Sequence, residues 1–247
     1  MDARLTAEIL QGIAPLLGAG LTVGGYAYAA QWPASRLFGH GLDPAQDPDQ
    51  LSFTFDDGPN LRWTPRMMEL LAKHGATGTF FMVGKRAVAE PNLVREVRAA
   101  GHIVGCHSWN HPNLAYVSLQ RAAEEVTRSR RALEQILGEP VRFFRPPFGA
   151  HGPLLFKMAR QMGLEPVLWN AMTSDWSNPS SQWIADKLSG KIERNSRHGR
   201  ATIVVLHDGN HADPEADRAP SAGALELLLE KYQGRKKFVP LTQWMLD

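Results

Sequence analysis

The sequence predicts an α/β fold of successive β/α units around a parallel sheet, a (β/α) barrel. Three observations carry this. From Leu51 onward, short apolar runs alternate with longer stretches of helical periodicity. Each group of chemistry-bearing residues falls just after one of those apolar runs, and in a β/α barrel such positions gather at one rim. The length of 247 residues also suits a single barrel core.

The elements follow in order. From Ile9 to Ser35 no residue is charged, and Gly12 to Ala30 is apolar enough, and about 28 Å long as a helix, to reach across a bilayer. Tyr26, Tyr28 and Trp32 suit a membrane interface, so a membrane anchor is expected, with a cleaved leader or a helix packed on the domain as alternatives. The Pro- and Asp-containing run from Ala34 to Gln50 reads as a linker, which divides the chain into an N-terminal part, 1–50, and a catalytic domain, 51–247. Predicted strands are Leu51 to Phe55, Gly78 to Val83, His102 to Gly105, Arg142 to Phe144, Glu165 to Trp169, Thr202 to Leu206 and Lys237 to Pro240. Between them, Thr64 to His74 carries Met67, Leu70 and Leu71 on one helical face, and Ser118 to Leu137 carries Ala122, Val126, Leu133 and Leu137.

Composition narrows the function. A hydrophobic fraction of 43% with 21% charged residues is ordinary for a globular protein. The formal charge of +2 gives no nucleic-acid signal. The single cysteine, Cys106, excludes an intramolecular disulfide.

The chemistry starts from Thr54-Phe55-Asp56-Asp57-Gly58-Pro59 and His107-Ser108-Trp109-Asn110-His111. Histidines four apart share one face of a helical turn, so both imidazoles can reach one cation. One of the two carboxylates completes a three-ligand set with open positions, the mark of a catalytic metal site, and the other stays free for proton transfer. Spacing alone does not say which aspartate does which. Either motif alone has a bland reading, a surface turn or a solvated helix, but three more follow: Arg145-Pro146-Pro147-Phe148-Gly149, Ser174-Asp175-Trp176 and Leu206-His207-Asp208-Gly209.

With these five motifs the chain from about Leu51 onward closely resembles the polysaccharide deacetylases, the NodB-homology domain of carbohydrate esterase family four. The resemblance implies a distorted, incomplete barrel of about seven strands. It implies Asp57, His107 and His111 as metal ligands and Asp56 as general base, with Arg145 as the cationic partner of Asp56. The Phe148 N–H is implied as an oxyanion donor, a position where many members carry Tyr. His207 is implied as general acid, charged by Asp175. Leu206 is expected to line a pocket for the acetyl methyl, and Trp176, Trp109 and Phe148 to offer flat faces to sugar rings. Trp63, Trp169 and Trp183 are assigned to the core, and the acidic loop with His211 is read as solvated.

Two departures stand out: Cys106 replaces a common Asn, and Met172 a common Asp. The implied activity is metal-dependent removal of N-acetyl groups from an amino-sugar polysaccharide, chitin-like or peptidoglycan, releasing acetate. An O-acetyl esterase and an inactive sugar-binding relative are the alternatives. Zinc is the default metal, though such a set also accepts cobalt or nickel. A cell-envelope or extracellular location is expected, with the membrane anchor as a further expectation.

Overall fold

The computed structural model describes residues 36–245 together with Gly24, Gly25, Tyr26, Tyr28 and Ala30. Strands and helices alternate along the chain: β1 (Gln50–Gly58), α1 (Trp63–Lys73), β2 (Gly78–Met82), α2 (Gly84–Ala89), α3 (Pro91–Ala99), β3 (Ile103–Cys106), α4 (Leu119–Leu137), β4 (Phe143–Phe144), α5 (Leu155–Gln161), β5 (Glu165–Pro166), α6 (Ser181–Arg197), β6 (Thr202–His207), α7 (Ala219–Tyr232) and β7 (Lys237–Phe238). The strands form one parallel sheet in the order β5-β4-β3-β2-β1-β6. β7 pairs with Gln50 and Leu51, on the edge of β1 that β2 takes over from Phe53.

The sheet curls into the incomplete barrel that was expected. Its two outer strands approach through the segment after β5, where Asn170 and Ala171 donate backbone hydrogen bonds to Ile203 O and Val205 N donates to Ala171 O. β5 is shorter than the apolar run Glu165 to Trp169. The carbonyls of Val167 and Leu168 instead accept from the Arg145 side chain, at 3.3 Å each.

Strand alternation sorts the side chains. Leu51, Phe53 and Phe55 of β1, Val104 and Cys106 of β3, and Val204 and Leu206 of β6 face the helix layer and join the large core there. Facing inward, Phe81, Phe143, Val167 and Ile203 meet Leu241 and Trp244 in an apolar plug that reaches up to the Arg145 guanidinium. Leu42 and Ala45 pack against this plug, and Ala45 O accepts from Ala201 N, so the segment read as a linker lies against the barrel.

α4 shows why a helix forms where periodicity says it should. Ser118 caps it by accepting from Arg121 N, Gly138 ends it at φ 72°, and Ala122, Val126 and Leu133 bury its inner stripe. Full burial of such a Val or Leu contributes about 1.5–3 kcal/mol.

Most of the apolar segment Gly12 to Ala30, and Trp32 after it, lies outside the described residues. Among those described, Tyr26 donates to Ala115 O at 2.8 Å and Ala30 O accepts from His151 N at 2.9 Å, contacts with the domain. No helix of the described residues is long and apolar enough to cross a membrane.

Candidate active site

Adjacent residues of a regular strand point to opposite faces, so Asp56 and Asp57 should diverge. They do not, because the register of β1 against β2 shifts between Asp56 and Gly58 and Asp57 sits at φ 74°. This bulge turns both carboxylates into one cavity at the strand ends. The cavity measures about 410 Å³ and is lined also by His107, His111, Phe148, Trp176 and His207.

The two histidines reach the cavity by a route the sequence reading did not foresee. His107 to His111 is a loop rather than a helical turn, with Ser108 and His111 both at φ 62°. Ser108 Oγ accepts from His111 N, and the buried Glu125 of α4 accepts from Trp109 N and Asn110 N at 3.1 and 2.8 Å. Glu125 therefore anchors the histidine loop. Its signal in the sequence was a carboxylate beside Ala122 and Val126 in the apolar stripe of a helix.

The loop and the bulge bring three ligand atoms together. Asp57 Oδ1 lies 3.0 Å from His111 Nε2 and 3.6 Å from His107 Nε2, and although buried it satisfies no hydrogen bond. Atoms bound to one tetrahedral zinc at its usual ligand distances stand about 3.4 Å apart, so these spacings suit ligands around a shared ion. His107 Nδ1 faces Arg145 O at 2.8 Å, which leaves Nε2 as the free nitrogen. Burial, against the pull of Asp56, pushes the His107 pKa down to about 4, so the ring is neutral as a ligand must be. Burial opposes charge on Asp57 too, but His111 and His211 hold its carboxyl well below the usual range. Asp57, His107 and His111 thus fit a divalent cation.

On one side of this triad, Arg145 lies fully buried across the barrel, above the ring of Phe81. Its Nη1 donates to Asp56 Oδ1 at 2.7 Å and to Thr54 Oγ1 at 2.8 Å. Asp56 Oδ2 then faces His107 Nε2 at 4.0 Å. Near the triad as well, Asp175 accepts from both the backbone N–H and Nδ1 of His207 at 2.8 Å, and from Ser221 Oγ at 2.7 Å. Burial works against a charged His207, yet Asp175, with Asp57 and Asp56 beyond it, carries its pKa up to about 9.

Not every expected residue arrives. Leu206 is fully buried in the layer under the helices, and this strand lines the cavity with Val205 and His207. Alternation requires this once His207 points inward. Trp109 lies outside the cavity too, beneath Arg128 of α4 at 3.9 Å. Phe148 and Trp176 do reach the rim, half exposed, with Phe148 edge-on to His111 and Trp176 edge-on to His207. Trp169 and Met172 line the cavity, and Trp183 is 41% exposed, so of the three tryptophans assigned to the core Trp63 alone is buried there. Cys106 faces α4, and burial pushes its thiol up to about 11, outside the ligand set. Sequence reasoning missed His211, stacked on His111, and Arg218, a buried guanidinium on the cavity wall that donates to Gly209 O.

Comparison with known proteins gives the family and the fold. Residues 43–167 match the polysaccharide deacetylase family model. The chitooligosaccharide deacetylase of Azorhizobium caulinodans is 32% identical over 206 residues, covering 81% of this chain and 95% of that protein. A crystal structure of a peptidoglycan N-acetylglucosamine deacetylase superposes with a TM-score of 0.70 at 26% identity, over 82% of this chain and 91% of that one. A family-four pseudoenzyme from Bacillus anthracis superposes at 0.67 with 23% identity, over 76% and 61% of the two chains, which shows the shared fold alone. The chain belongs to the polysaccharide deacetylase family.

Proposed function

We propose that this protein hydrolyses N-acetyl groups on an amino-sugar polysaccharide, releasing acetate and leaving a free amine, with zinc at the triad. Relatives named for chitooligosaccharide and for peptidoglycan deacetylation support the substrate class. Because the fold also occurs in a pseudoenzyme, the site has to carry the argument. The observation that carries it is the placement around the triad of two differently prepared groups: Asp56, pinned by Arg145, and His207, kept cationic by Asp175.

Asp57, His107 and His111 would hold the cation. When bound, it supplies Lewis acidity and acidifies water. Asp56 takes a proton from the attacking water through Oδ2, the oxygen Arg145 leaves free. The Phe148 N–H, presented by a turn at φ 60°, donates to the oxygen of the tetrahedral intermediate. His207 gives its proton to the departing nitrogen as the C–N bond breaks, and Asp175 stabilises its charge until then. Phe148 and Trp176 offer their exposed faces to pyranose rings at the rim. Such polymers place the action at the cell envelope or outside the cell.

The test is acetate release from N-acetylglucosamine oligomers by the full chain, after chelation and again after zinc is restored. The expected result is loss with chelator and recovery with zinc. Acetate release that chelation leaves unchanged would contradict the reading.

A further inference from the structure

We propose that His211, in the loop after β6, is a positioning residue for the metal centre: it holds the outer oxygen of Asp57, so that the inner oxygen is the one presented to the ion. This rests on the metal-site reading above. Asp57 turns Oδ1 toward His107 and His111, and its Oδ2 lies 3.6 Å from His211 Nδ1, just beyond hydrogen-bond length, an approach that a small turn of either side chain closes. The His211 ring also lies flat against His111, with centroids 4.1 Å apart and planes inclined by 17°. One side chain thus touches two of the three ligands, and it stands outside the ligand set itself.

The loop that carries His211 is built to place it. Arg218 donates to Gly209 O, Arg86 to Asn210 O, and Asn60 to Pro214 O. These three side chains come from the start of α7, from α2 and from the turn after β1, so they grip the loop on both sides of His211. Within it, Asn210 Oδ1 accepts from Ala212 N and Asp213 N, closing the backbone into a tight turn. A merely solvated loop would not need carbonyl clamps from separate elements.

A carboxylate ligand has two oxygens and a freely turning bond, so an unheld Asp57 could swing between them. A His211 that closes on the outer oxygen removes that freedom, and loss of such a partner typically weakens metal binding about 10–100-fold. His211 Nδ1 occupies the place that an asparagine amide nitrogen would reach, which gives a conservative rescue.

The experiment is zinc affinity by competition with a chromophoric chelator, for wild type, His211→Ala and His211→Asn, with thermal unfolding of each metal-free protein alongside. His211→Ala is expected to weaken zinc binding about 10–100-fold with no fall in metal-free stability, and His211→Asn to recover most of the loss. Wild-type affinity in His211→Ala would overturn the assignment, as would an equal loss in His211→Asn. Failure of the wild type itself to bind zinc would instead overturn the metal reading of the triad.

Discussion

The two ends of the barrel interior use the same inward-facing positions for different ends. Where the strands begin, Phe143 and Ile203 point inward into an apolar plug with Leu241 and Trp244. Further along the same strands, Arg145 and His207 take the same parity, Arg145 paired with Asp56 behind the cavity and His207 on its wall. The backbone differs as well. Asp57, Ser108, His111 and Phe148 all have positive φ at the upper end, between 60° and 74°, and no residue of the plug does. Each such non-glycine conformation costs about 1–3 kcal/mol, so strain is concentrated where the ligands are aimed. The plug supplies stability against which the cavity is held open.

Substitutions at the two ends should therefore separate stability from chemistry. Leu241→Ala removes a fully buried plug side chain and is expected to lower stability by about 2–5 kcal/mol in denaturant unfolding, while the folded fraction keeps its turnover. Turnover lost in step with stability would erase the distinction between the ends. Glu125→Ala strips the histidine loop of its anchor and should cost about 1–3 kcal/mol, with zinc affinity falling as well. Unchanged zinc affinity would show that the loop holds its shape without Glu125.

The ends differ in protonation as well. In the metal-free protein His207 should titrate at about 9 by NMR, and Asp175→Asn should bring it back toward about 6.5. Because the folded value is raised, its contribution to stability is fully present below the unfolded value and is lost as pH rises through about 9. A bound cation adds positive charge nearby and moves the titration lower. A His207 value near 6.5 in the metal-free wild type would remove Asp175 from its charging role.

What the sequence revealed, and what it hid, follows from the range of the forces involved. Strand positions were legible because apolar runs are local, and α4 was legible from its apolar stripe, within a residue of its ends. The residues of the triad and of the Arg145 and His207 pairs were legible from their motifs. The bulge at Asp57 was hidden, because pairing with β2 decides it. So was the loop at His107 to His111, whose shape comes from a carboxylate on another element, Glu125. Leu206 could have been placed by parity alone, since His207 beside it had to face the cavity. His211 had no such clue: its three carbonyl clamps are spread from Asn60 to Arg218.

The central claim is that a strand bulge gives two neighbouring aspartates two different tasks, and one paired measurement tests it most directly: bound zinc and acetate release in wild type, Asp56→Asn and His107→Ala. Asp56→Asn is expected to keep zinc while turnover falls about 10²–10⁴-fold, and His107→Ala to lose both. Zinc lost from Asp56→Asn, or zinc retained at wild-type affinity by His107→Ala, would contradict the account.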